Sequence, residues 1–205
     1  MPKQITPLYY AAINNHIDAC RLLLEHGASI NSIQSKYALL EVAECGHINI
    51  CKLLLDYGMS PNCDVDDEHC KGPVIHKAID GRHTNVIKLL ISKGANTSET
   101  EKWCSPLRYA ARRNYYDMCE LLIKEGIIPN DDRIDRTPLY EAVGKKNIDI
   151  SKLLISNGVT VCKELTYVYD DVDGDVLHSD EHNEEVIERS HFLLDVLIQM
   201  REDKQ

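Results

Sequence analysis

A Leu-Leu or Leu-Ile run closed by glycine occurs five times along the chain, as RLLLEHGASIN, KLLLDYGMSPN, KLLISKGANTS, ELLIKEGIIPN and KLLISNGVTVC. The glycines are Gly27, Gly58, Gly94, Gly126 and Gly158, spaced 31, 36, 32 and 32 residues apart. A second element recurs ahead of each run: TPLYYAAINNH, YALLEVAECGH, PVIHKAIDGRH, SPLRYAARRNY and TPLYEAVGKKN. This register restricts the fold more than composition can. At this period each repeat is one supersecondary unit that cannot bury its own apolar face and must stack on its neighbours.

Local chemistry says what the unit is. Proline in the first turn of a helix loses no needed N–H, and the Thr or Ser before it can cap the helix. Ala11-Ala12 and Ala110-Ala111 let helices approach closely. The leucines form an apolar stripe on a second helix, and the glycine after them takes the left-handed residue that ends it. Each unit therefore reads as two short antiparallel helices followed by a hairpin-like loop. Long runs of β-branched residues are missing, which argues against a mixed α/β domain.

These motifs resemble the ankyrin repeat, with its Thr-Pro-Leu-His opening, Ala-Ala pair, Gly-His turn, Leu-Leu run and Gly-Ala exit. The likeness covers residues 1–162, about four-fifths of the chain. The Thr-Pro opening is intact at Thr6-Pro7 and Thr137-Pro138, and nearly so at Ser105-Pro106. The histidine after it survives only as His76, with Tyr9, Leu40, Arg108 and Tyr140 in the other repeats. The resemblance implies an all-α solenoid with repeats at about 1–31, 32–67, 68–99, 100–131 and 132–162. An acidic linker (163–183) and an amphipathic capping helix (184–205) are expected after the array. Val186, Ile187, Leu193, Leu194, Leu197 and Ile198 form the apolar stripe of that helix. At the other end, repeat one starts almost at residue 1, so Ile5, Leu8 and Ile13 are expected to be partly uncovered.

Charge separates the array from the C-terminal segment. Residues 1–162 carry 20 acids against 19 bases, whereas residues 163–205 carry 13 acids against 4 bases. A net charge of −10 argues against nucleic acid or an anionic membrane as partner. The start MPKQITPLYY lacks the basic and apolar regions of a signal peptide, so a cytoplasmic protein is expected. The nucleus is also open to it, as is the host cytosol if the chain comes from a pathogen.

Cysteines and histidines invite a metal reading at CDVDDEHCKGPVIHKAIDGRH, residues 63–83. Zinc sites want four converging ligands, usually including a close pair. Cys63, His69 and Cys70 have the wrong spacing, and in the resemblance His76 and His83 fill structural slots. A solvated loop is expected instead. Cys20, Cys51 and Cys119 share one position, occupied by Ile87 and Ser151 elsewhere. Helices pack about 8–10 Å apart while a disulfide needs Cα atoms within about 7 Å, so these should be buried thiols. Cys45 and Cys104 fall in more exposed slots. The acidic run from Asp171 has Val176 and His182 where a calcium loop needs Gly and Glu. No catalytic signature is present, and no cofactor is expected.

What the resemblance implies is non-catalytic binding of a protein partner through loop tips and the first-helix surface. In that register Trp103, Arg112, Arg113, Arg133 and Arg136 form the main contact, joined by Ile33, Lys36, Glu101 and Lys102. Trp and Arg dominate binding hot spots, and the guanidinium fork suits carboxylates, so a partner with acidic and apolar groups is expected. The alternatives are an inhibitor that sequesters a kinase or transcription factor, or a pathogen effector that redirects a host protein. The chain itself is expected to be monomeric.

Overall fold

The structure is a computed structural model describing residues 6–66, 71–98, 100, 102–127, 137–159, 161 and 180–203. It divides into two compact units, residues 1–106 and 107–205.

In the first unit, α1 (Pro7–Ile13) and α2 (Ile17–Glu25) form one pair. Next come α3 (Ile33–Glu44) with α4 (Ile48–Asp56), and α5 (Val74–Asp80) with α6 (Thr84–Ser92). First helices pack on first helices, α1 on α3 and α3 on α5, and second helices do the same, α2 on α4 and α4 on α6. Strands β1 (Asp64–Asp66) and β2 (Lys71–Pro73) pair antiparallel, with Val65 opposite Gly72. That ribbon is one of the hairpin loops expected between the helix pairs of the all-α solenoid. The loop lengthened before repeat three has room to pair with itself.

In the second unit, α7 (Pro106–Arg112) and α8 (Tyr116–Lys124) precede α9 (Pro138–Gly144) and α10 (Ile148–Ser156). The long helix α11 (Asp180–Glu202) lies against both α9 and α10.

The expected chemistry makes these helices. Thr6 Oγ1 accepts the N–H of Tyr9 at 3.2 Å, and Thr137 Oγ1 that of Tyr140 at 3.0 Å, each with proline in the first turn. Every second helix ends the same way. In the first, the N–H of Ala28 reaches Leu23 O at 2.9 Å past Gly27, whose φ is +85°.

Repeat two differs. It has Ala38 where repeats one, four and five have proline, and Ser32 caps a helix that starts five residues earlier, its Oγ accepting the Ser35 N–H at 3.1 Å. Ile33 and Lys36, expected among the contacts of the loop tips and first-helix surface, stand on the first turns of α3. Leu8 corrects a second expectation. At 2% exposure it is covered, because α3 packs against α1.

The core keeps to the repeat. The position shared by Cys20, Cys51, Ile87, Cys119 and Ser151 is 0% exposed at all five sites. Burial pushes the Cys51 and Cys119 thiols up to about 12. Cys45 is exposed as expected, Cys104 half-buried, and neither is in a disulfide. Cys63 is not on a solvated loop. It is 7% exposed at the foot of the ribbon, and burial raises its thiol to about 11.

Adjacent repeats are joined by polar contacts one period apart. Asn62 Nδ2 donates to Gly94 O at 3.1 Å, and the Asn96 N–H donates to Asn62 Oδ1 at 2.6 Å. Lys77 pairs with Glu44 at 3.1 Å. In the second unit Arg108 Nε reaches Glu141 Oε1 at 2.9 Å, and Asn147 donates to Asn114. Arg108 fills the histidine slot of repeat four, so a charged pair there does the joining.

Among the described side chains of α11, Leu193 and Val196 are buried, at 1% and 0% exposure, while Leu194 and Ile198 are 47% and 56% exposed. The expected stripe is therefore split: Leu193 turns inward and Leu194 and Ile198 outward. Val186 and Ile187 have side chains outside the described set. Arg189 stacks on the Tyr140 ring, 4.0 Å from its centroid, and lies over Gly144, where an added Cβ would meet its Nη2 at 3.0 Å.

Candidate functional site

Two clusters contain Lys102, Trp103, Arg112 and Arg113, four of the six sequence-derived contact residues that the structure describes. The first is in unit 1. A tight turn holds Trp103: its N–H donates to Thr100 Oγ1 at 2.8 Å, and the Thr100 N–H donates to Trp103 O at 2.9 Å. The indole Nε1 donates to Asp64 Oδ2 at 2.8 Å, and Lys102 Nζ reaches the same oxygen at 2.8 Å. Lys102 also lies 5.1 Å from the centroid of the Trp103 ring. The half-buried Trp103 is thus latched to β1. Bonds from Lys102 and then Trp103 hold the Asp64 carboxyl below its ordinary value.

Nothing in the sequence singles out Asp64 from the neighbouring acids Asp66, Asp67 and Glu68. Its bond to a residue 39 positions away depends on the path of the ribbon, and no pattern in the sequence signals it.

The second cluster is in unit 2. Arg112 and Arg113, exposed at the end of α7, flank Tyr109 with guanidinium carbons 5.4 and 5.3 Å from the ring centroid. Arg113 Nη2 also donates to the Tyr109 hydroxyl at 2.9 Å. Spacings of three and four residues put both arginines beside the same ring on a helix, which was legible in the sequence. Arg133, Arg136 and Glu101 lie outside the described residues. Ile33 is 47% exposed, and Lys36 is half-buried, with its charge near Cys63.

Among the described residues no group of three or more His, Cys, Asp and Glu side chains could hold a metal ion. His69 and Cys70 lie outside them, and His76 is buried in α5 at 3% exposure. No helix among the described residues is long and apolar enough to cross a membrane.

Paired helices at a period near 32 residues, closed by a left-handed glycine and joined repeat to repeat within each unit, define a repeat solenoid. The chain matches the profile of ankyrin repeats three times, over residues 2–67, 31–101 and 75–164, and it belongs to the ankyrin-repeat family. It is similar to the ankyrin repeat and KH domain-containing protein mask-1 of Caenorhabditis elegans, 28% identical over 153 residues, covering 73% of this chain and 6% of that protein. It is 26% identical over 167 residues to human transient receptor potential cation channel subfamily A member 1, covering 76% of this chain and 15% of the channel. Both relatives are far longer than this chain. A putative ankyrin repeat protein of fowlpox virus, FPV223, is 30% identical over 88 residues, covering 42% of this chain and 60% of that protein. Among solved structures, the human ASB11 ankyrin repeat domain superposes with a TM-score of 0.65 at 21% identity, covering 93% of this chain and 83% of that one. That likeness is one of fold.

Proposed function

We propose that this chain is a non-catalytic adaptor that grips a protein partner, with Arg112 and Arg113 as its principal contact. Ankyrin repeats are in general protein–protein interaction modules. The observation that carries the reading is the exposed arginine pair gathered on one tyrosine ring. Stacking limits the rotamers of both guanidiniums, so less freedom is lost when they meet a carboxylate. Arg133 and Arg136 are proposed as further basic contacts of the same partner. Lys102, Trp103, Ile33, Lys36 and Glu101 supply contacts from unit 1. The partner presents acidic and apolar groups. Residues 1–162 form the array, and the last helix, which starts at Asp180 inside the expected linker of 163–183, caps repeat five, a reading that the contacts of α11 with α9 and α10 support. The cytoplasm is the proposed compartment.

Affinity purification with the full chain tests this. A protein recovered in stoichiometric amount should fall about tenfold or more with Arg112→Ala/Arg113→Ala. Equal recovery would remove the arginines from the interface. Sequestration of one kinase or transcription factor would instead show as a one-to-one complex with altered partner activity. An effector would recruit two partners, one lost when the chain is cut after residue 162.

A further inference from the structure

We propose that a cleft in unit 1 receives one aliphatic side chain of a partner protein, while the backbone N–H beside that side chain donates to Asp64. This rests on the interaction-module reading and names what one subsite of it recognises.

The cleft has a volume of about 140 Å³. Pro61, Pro73, Ile75 and Trp103 supply apolar lining, with Asp64 and the exposed Ser98 also on its surface. A cavity of about 150 Å³ with aliphatic walls accommodates a group as large as benzene. The space here therefore suits a side chain of the size of Val, Leu or Ile.

Charge decides the class of occupant. Asp64 Oδ2 takes both the Trp103 indole and the Lys102 ammonium, each at 2.8 Å, and the residue's own backbone N–H also bonds the carboxylate, whose roughly four acceptor positions leave one for a further donor. Because Lys102 already neutralises Asp64, neither an incoming cation nor an incoming carboxylate finds an unpaired opposite charge to replace the hydration it loses. A neutral peptide group with an aliphatic side chain has no charge to desolvate. The wall is also set in advance, since the Trp103 ring is fixed by Asp64 and its main chain by Thr100, and little ordering remains on binding.

Trp103 is the only tryptophan, so its indole N–H gives one NMR signal. The full chain is titrated with acetyl-leucinamide, acetyl-glycinamide, acetyl-lysinamide and acetyl-glutamate. The leucine amide should shift the signal saturably, with a Kd on the order of 1–10 mM for a compound of this size. The glycine amide, lacking the aliphatic group, should bind about tenfold more weakly or worse. The lysine and glutamate compounds should not saturate. Ser98→Phe should fill the cleft and abolish the response. The proposal is overturned if the leucine amide gives no saturable shift by about 50 mM, or if the lysine compound or the glutamate compound binds as well. It is also overturned if a folded Ser98→Phe chain responds like the parent. Should that variant fail to fold, the four-compound comparison still decides. Leucine-amide binding alongside an unaltered pull-down with the arginine variant would remove the arginine reading alone. The reverse pair of results would remove the cleft alone.

Discussion

At the residue scale, the joints between repeats depend on groups with no room to spare. Gly46 has φ +77°, and a Cβ there would lie 2.4 Å from Nδ1 of His83 in the next repeat. Gly27 has φ +85° but no neighbour within 4 Å of such a Cβ. Gly27→Ala should therefore cost only the left-handed strain, about 1–2 kcal/mol. Gly46→Ala should add an overpacking cost of about 1–3 kcal/mol to a similar strain. Urea unfolding of the two variants checks the difference, and equal losses would mean that the His83 ring moves aside. The buried thiols allow a pH prediction. With folded values near 12, Cys51 and Cys119 stay protonated when an unfolded thiol, near 8.5, has ionised. Their contribution is complete below about pH 8.5 and is lost as pH rises towards 12. The unfolding midpoint should fall between pH 8 and 10.5, and fall less steeply in Cys51→Ala/Cys119→Ala. The shared slot of these cysteines was legible from register alone. The contact between Gly46 and His83 was not, because the sequence marks a turn glycine without saying what lies over it.

At the element scale, α11 and the ribbon were each only half legible. The amphipathic pattern announces a helix near the C-terminus, but α11 buries Leu193 and Val196 and leaves Leu194 and Ile198 outside. Adjacent leucines on a helix point about 100° apart, so only the rotation set by docking on α9 and α10 chooses between them. Leu193→Ala should destabilise by about 2–5 kcal/mol, whereas Leu194→Ala should change stability by less than about 0.5 kcal/mol. Thermal unfolding of both variants measures this, and the opposite order would mean that the helix docks in another rotation. Truncation after Cys162 should lower the midpoint as well, since it uncovers the faces of α9 and α10 beneath α11. The latch on β1 is tested by Asp64→Asn, which removes the charge facing Lys102 and weakens the hold on the indole. Trp103 emission should shift to the red. In the parent chain the same shift should appear only in acid. A carboxyl held below its ordinary value stabilises the fold above the unfolded value near 3.9, and that contribution is lost as pH falls through the folded value.

At the scale of the whole molecule, stability in a repeat array is a sum of repeats and nearest-neighbour interfaces. A lesion should therefore stay near its own interface. Gly46→Ala should speed hydrogen exchange in α3 to α6 and leave α9 to α11 close to the parent rate. A uniform increase would show that the chain unfolds as one cooperative block. Sequence by itself determined the period, the paired helices, the capping threonines, the closing glycines and the buried cysteine slot. All of these are local or repeat every 31 to 36 residues, so they leave a pattern that can be read. Tertiary structure alone decided that α3 starts early, that the loop before repeat three folds into a ribbon over Cys63, and that α11 rotates as it does. It also decided that Trp103 is held by Asp64. Each of these depends on which surfaces meet after the chain has stacked, and a contact between residues 39 apart leaves no periodic trace in the sequence.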